Sequence, residues 1–359
     1  MREAVSPARA ILVLLLVAGC ATPPPDMSPS PSLMASPSPS GTPSAPVPSV
    51  TASSTPTVDR EPIFEVATFP VPAGSRPHDV APAADGGIWY TAQRTGRLGW
   101  LDPATGEVRE IALGSGSAPH GVITGPDGAA WVTDGGLNAI VRVGEGDDQV
   151  TVYPLGTTNA NLNTAAFDRD GILWFTGQAG IYGSLDPATG QLDLYDAPRG
   201  QGPYGVAATP GGEIVYSSLA GSYLGMIDRA SGEVTLIDTP TQGGGARRVW
   251  SDSAGRLWVT EWFAGTLAMF DPATAAWTEW PLPGSNPLPY AVYVDDLDAV
   301  WVTDFGSNAT LRFDRATEEW LTFEHSSQPA EVRQLLGREG EIWGAESAAD
   351  QLVVIRAVD

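Results

Sequence analysis

Two of the chain's three histidines stand in the same dipeptide 42 residues apart, in Arg76-Pro77-His78 and Ala118-Pro119-His120. Imidazole titrates near neutrality and serves as a general base when a neighbouring carboxylate orients it and raises its basicity. Imidazoles mixed with carboxylates also suit a divalent cation. The third histidine, His325, follows Phe323 in an expected outer strand and is assigned to the surface.

What could bring His78 and His120 together is a repeat. A Trp-centred strand recurs as Trp89-Tyr-Thr, Trp131-Val-Thr, Trp174-Phe-Thr, Val215-Tyr-Ser, Trp258-Val-Thr, Trp301-Val-Thr and Trp343-Gly-Ala. The spacings are 42, 43, 41, 43, 43 and 42 residues. An apolar strand and a Gly-containing turn such as Pro126-Asp127-Gly128 precede each one. A third strand follows and ends in Leu101-Asp-Pro-Ala-Thr-Gly106 or a relative of it, with Asp-Pro and Gly setting a tight turn. A fourth strand is seen in Thr278-Glu-Trp-Pro-Leu-Pro283. Four strands in each unit of about 42 residues predict an all-β, seven-bladed β-propeller over 61–359. The seventh unit stops after its third strand, and Ile63 to Pro70 supplies the type of strand it lacks. The N-terminal strand is therefore expected to complete the last blade and pair its exposed edge.

First and second strands of a blade are antiparallel, so two positions per repeat lie at one end of the ring. The position eleven residues before the Trp holds His78, His120, Asn163, Tyr204, Arg247, Tyr290 and Val332. Three residues after the Trp stand Ala92, Asp134, Gly177, Ser218, Glu261, Asp304 and Glu346. Ring closure is expected to set Glu346 beside His78, and Asp134 shares a blade with His120. Asp134, Glu261, Asp304 and Glu346 are the candidate metal ligands. His78, Tyr204, Tyr290 and Arg247 are candidates for ligand contact, with Arg247 also placed to pair with Glu261. The recurrent tryptophans are assigned to packing between blades, and the acids of the turns to solvated surface.

The first sixty residues read as address and tether. Arg2 and Arg9 flank a start followed by Ile11-Leu-Val-Leu-Leu-Leu-Val17, too short to span a bilayer and typical of a signal peptide. Val17-Ala18-Gly19-Cys20 resembles a lipobox, which makes Cys20 the expected lipidation site and 1–20 the signal. Residues 21–60 are rich in Pro, Ser and Thr and are expected to form a disordered spacer. The protein is thus expected on the extracytoplasmic face of a bacterial membrane, touching lipid only through its anchor. One cysteine leaves no intramolecular disulfide. Net charge is −23 and lysine is absent, which argues against nucleic acid and favours small neutral or cationic ligands and a monomer.

The run Pro119-His-Gly-Val-Ile-Thr-Gly-Pro-Asp-Gly-Ala-Ala-Trp-Val-Thr-Asp134, echoed in Trp258-Val-Thr-Glu-Trp262, resembles the virginiamycin B lyase (streptogramin lyase) family of seven-bladed propellers. The resemblance covers the whole repeat region. It implies opening of a cyclic depsipeptide by elimination across its ester, with magnesium as Lewis acid and a histidine as base. The family's two functional histidines stand in Pro-His motifs of adjacent blades with this spacing, so His78 would bind substrate and His120 would take the proton. The chain departs from the pattern at the metal. The family's glutamate two residues before the base is Ala118 here, and Gly135 stands where its second glutamate falls, one position after Asp134. Two other functions fit the same residues. One is a propeller that captures a ligand or protein without chemistry; the other is a metal-dependent lactonase using Glu261 and Asn163 around an axial calcium.

Overall fold

The computed structural model describes residues 63–358. Cys20, the lipobox and the expected tether lie outside the described residues. Twenty-eight strands form seven four-stranded antiparallel sheets, the blades of a β-propeller. The inner strands of blades 1 to 7 are Pro77–Pro82, Pro119–Thr124, Leu162–Phe167, Pro203–Ala208, Ala246–Ser251, Pro289–Val294 and Val332–Arg338. Each contacts the inner strand of the next blade, and Val332–Arg338 contacts Pro77–Pro82, so the ring closes.

The seam is made as the repeat count requires. Strand Ile63–Pro70 pairs antiparallel with Gln351–Val358 over eight residues, from Ile63 opposite Val358 to Pro70 opposite Gln351. The last blade is therefore knit from both ends of the propeller, and its edge strand is paired.

Packing between blades rests on the recurrent aromatic position. Trp89, Trp131, Trp258, Trp301 and Trp343 are fully buried. Trp131 of blade 2 packs with Leu162, Leu173 and Phe175 of blade 3, and Trp258 of blade 5 with Val292, Val300 and Val302 of blade 6. Removing one such ring would cost about 3–5 kcal/mol. Several turn acids expected to be solvated surface are part of this core. Asp168, Asp252 and Asp295 accept the indole N–H of Trp174, Trp258 and Trp301 at 3.0, 2.9 and 2.8 Å while capping the backbone of their own turns. An indole donor buried without such a partner would carry a desolvation cost.

One feature of each blade bears directly on the mouth. In all seven, the first strand slips register against the second near its start, between Pro77 and Val80 in blade 1 and at the matching places elsewhere. Such a bulge leaves a residue unpaired and re-aims its side chain. A hydroxyl on the second strand holds it. Thr91 Oγ1 accepts the N–H of Asp79 and donates to the carbonyl of His120 in the next blade. Thr133, Ser217 and Thr260 repeat both contacts, reaching the carbonyls of Asn163, Arg247 and Tyr290. Blade 7 has Ala345 at this position, and Ser347 Oγ bonds the Pro77 carbonyl instead.

Candidate functional site

Pairing across the bulges identifies the residues of the mouth. Pro77 lies opposite Ala92 and Pro119 opposite Asp134, fifteen residues apart, whereas Val332 lies opposite Glu346, fourteen apart. The turn of blade 7 is one residue shorter, so counting back from Trp343 lands one position early. The seventh mouth residue is Arg333; Val332 is a buried core residue. The ring is thus His78, His120, Asn163, Tyr204, Arg247, Tyr290 and Arg333.

The two histidines meet. Their ring centroids are 3.9 Å apart with the planes tilted by 44°. His78 Nδ1 lies 2.7 Å from Asp79 Oδ1, and His120 Nδ1 lies 3.2 Å from the carbonyl of Asn163. With both acceptors being oxygens, each imidazole carries its proton on Nδ1 and presents the Nε2 lone pair. Desolvation holds both rings well below the ordinary value of 6.5; the guanidinium of Arg248 adds to this at His78, and His78 itself adds to it at His120. Both are neutral imidazoles at pH 7.

Beneath them the axis is bridged. Arg248 of blade 5 approaches Asp79 of blade 1 at 3.4 Å, with both side chains almost wholly buried. Burial pushes the Asp79 carboxyl up, and Arg248 pulls it back only in part. Below this pair the channel is narrow, about 30 Å³, and is walled by residues such as Val122, Val206 and Leu335. Gly121 lets blades 2 and 3 close up here, since a Cβ on it would sit 2.7 Å from the Asn163 carbonyl that His120 uses.

The other half of the mouth is aromatic and cationic. The hydroxyls of Tyr204 and Tyr290 lie 2.6 Å apart, and Arg247 donates to Tyr204 at 2.9 Å. The Arg247 guanidinium stacks 3.6 Å from the centre of the Tyr290 ring and 4.4 Å from that of Trp262. Burial, with Tyr290 beside it, pushes the Tyr204 phenol up to about 12. At Tyr290 the same burial is outweighed by Arg247 and Arg248, and its phenol is lowered.

The ring acids go elsewhere. Asp134 accepts from Ser117 Oγ and from the N–H groups of Ala118 and Leu137. Asp304 does the same for Leu288, Gly306 and Ser307. Glu346 lies 3.0 Å from His325 Nδ1 and accepts from Gln351, so its histidine is His325 and not His78. His325 is accordingly buried, not surface. Glu261 accepts from Thr266, and burial together with the neighbouring Glu279 raises it to about 7; Arg247 goes instead to Tyr204, Tyr290 and Trp262. The reason is the bulge. Asp134 is directly opposite Pro119 and caps the turn before it, while the next residue, His120, is the one the register slip leaves without a partner and re-aims. Lying at one end of the ring does not bring side chains together.

The model of the virginiamycin B lyase family matches residues 57–305 and again 114–358. The chain belongs to that family. No curated protein sequence matches it. Among solved structures it resembles virginiamycin B lyase from Staphylococcus aureus, at 17% identity and TM-score 0.76, over 82% of this chain and 100% of that one. A streptogramin B lyase structure is similar at 20% identity and TM-score 0.76, over 82% and 98%. The extracellular domain of a putative one component system from B. thetaiotaomicron matches at 16% identity and TM-score 0.62, over 80% and 40%. At these identities the structures speak for the fold.

The magnesium that membership in the lyase family implies does not fit these residues. Mg²⁺ asks for near-ideal octahedral oxygen coordination. Among the described residues, the one group of three candidate ligands within 4.8 Å of one another is His78, Asp79 and His120. Two of its donors are imidazole nitrogens, and the carboxylate is already engaged by His78 and Arg248. Sequence reasoning missed Asp79, Arg248 and Arg333. Asp79 and Arg248 follow ring residues by one, so a scan of a single repeat position passes over them; the Arg333 shift is visible only in the length of the blade 7 turn.

Proposed function

We propose that this protein is a streptogramin-lyase-like surface lipoprotein, anchored through Cys20 at the extracytoplasmic face, that binds a small cyclic ester or peptide at the propeller mouth and opens it by elimination. The observation that carries this reading is the contact between His78 and His120, two neutral imidazoles whose Nε2 atoms have no protein partner among the described residues. A base in this position can take a proton from the carbon next to a carbonyl, given a substrate within hydrogen-bond reach. Family correspondence gives that role to His120 and substrate contact to His78, with Tyr204, Tyr290 and Arg247 forming the facing wall. Charge developing on the substrate's oxygens would meet guanidinium groups.

The test is incubation of the purified protein with a type B streptogramin, followed by chromatography and mass spectrometry. Elimination gives a linear product of unchanged mass that elutes apart from the ring. A product heavier by one water would mark a lactonase and overturn elimination. A non-catalytic binding propeller is the second reading, favoured by the engagement of Asp134, Glu261, Asp304 and Glu346 in the protein's own hydrogen bonds. Binding of the intact ring with no conversion would establish it.

A further inference from the structure

The chain as a whole is strongly acidic, yet the hollow beside His78 is lined by three arginines. Arg76, His78, Gln93, Arg94, Ala118, Arg333 and Ser347 enclose an open space of about 540 Å³, with no carboxylate among them. One acid at its edge behaves as a ligand would. One oxygen of Glu331 lies 2.6 Å from an Arg333 nitrogen and 3.4 Å from an Arg76 nitrogen, so the two guanidiniums stand at the right separation to share a carboxylate. Glu331 offsets only one of the three charges. Arg94 is exposed and its side chain has no partner among the described residues. Arg247 and Arg248 stand further round and below, each with a buried Nε that lacks a partner.

We propose that this hollow is a carboxylate-binding subsite, formed by Arg76, Arg94 and Arg333, for a small ligand whose remaining body packs on the partly exposed rings of Trp262 and Phe305. Guanidinium matches carboxylate geometry and cannot lose its charge, which makes it the group of choice for such recognition. The proposal deepens the elimination reading and rests on it for the ligand's chemistry. In that step the base takes the proton, its C–H pair becomes the new C=C bond, and the C–O bond breaks with its pair on oxygen. The leaving acyl group is therefore a carboxylate, formed next to the arginines. An aromatic surface adjoins the arginines: Trp262 and Phe305 are partly exposed and meet edge-on at 5.7 Å, and the Arg333 guanidinium lies 5.7 Å from the centre of the Phe305 ring.

The test uses calorimetry on the purified protein with N-acetylphenylalanine, its uncharged amide, and inorganic phosphate. The acid is expected to bind at least about tenfold tighter than the amide or phosphate, and to weaken as salt screens the charge. Arg94→Gln, at an exposed position, should weaken the acid about tenfold and leave the amide unchanged. Equal binding of acid and amide, no binding of either, binding of phosphate as tight as the acid, or indifference to Arg94→Gln would each overturn the proposal. Failure of the elimination reading is separate: a streptogramin left unopened, with acid binding intact and sensitive to Arg94, retires the lyase chemistry and keeps the subsite.

Discussion

The Thr91 hydroxyl of blade 1 donates to the His120 carbonyl of blade 2 at 2.8 Å while accepting the N–H of Asp79 at 3.0 Å. One hydroxyl therefore fixes the bulge that carries His78 and Asp79 and the backbone of the neighbouring histidine. Thr91→Val keeps the shape and removes both bonds, leaving a buried donor and acceptor unpaired at a cost of about 1–3 kcal/mol. Urea unfolding measures that loss. If Thr91 positions His120, turnover of an accepted substrate falls in kcat with little change in KM, and Thr91→Ser restores both. A loss of stability with kcat untouched would reduce Thr91 to a structural part.

The histidine roles separate by substitution and pH. His120→Ala is expected to remove kcat by at least about a hundredfold, the contribution of a general base, whereas His78→Ala acts mainly on KM. The reverse would move the base to His78, which Asp79 orients. Desolvation keeps both rings neutral below 6.5, so the kcat/KM plateau should extend to lower pH than free imidazole allows. The sign for stability follows. Below pH 6.5 the unfolded chain takes up protons that the folded chain refuses, so these residues make stability fall as pH drops through that value. His78→Gln and His120→Gln should each flatten the decline, read as melting temperature between pH 5 and 7.

The architecture was legible because a blade is a local unit repeated seven times; each Trp131-like strand marks a fixed place, and Ile63–Pro70 has the character of a fourth strand, which it is in the last blade. The meeting of His78 and His120 was legible for the same reason. What the repeat does not carry is where a side chain points. Asp134 and His120 share an end of the ring, yet Asp134 caps the turn at Ser117 and Ala118 while the bulged His120 meets His78, and Glu346 turns to His325, a contact between blades 7 and 6. The Asp79–Arg248 bridge joins blades 1 and 5 across the axis, a relation between distant repeats that no single-repeat pattern states.

That bridge should behave as a buried ion pair. Asp79→Asn leaves the Arg248 charge buried without its partner and is expected to cost about 3–5 kcal/mol, while Asp79→Leu combined with Arg248→Met should recover most of the loss. Denaturant unfolding of Asp79→Leu, Arg248→Met and the variant carrying both gives the coupling. Strictly additive effects would mean that the two groups do not act on each other.

Glu261 should set a different pH dependence. Burial and the neighbouring Glu279 raise its carboxyl from 4.5 to about 7. Between those values the folded chain holds a proton that the unfolded chain has released, so this residue favours the folded state at pH 4.5 and that contribution is lost as pH rises through 7. Glu261→Gln keeps the neutral shape and removes the titration. The substituted protein should match the parent near pH 4 and exceed it at pH 8 by about 1–3 kcal/mol. Melting temperatures at pH 4, 5, 6, 7 and 8 provide the comparison, with the gap opening between 4.5 and about 7 and level above that. A gap that stays constant with pH would show that Glu261 ionises in the folded protein as it does in water.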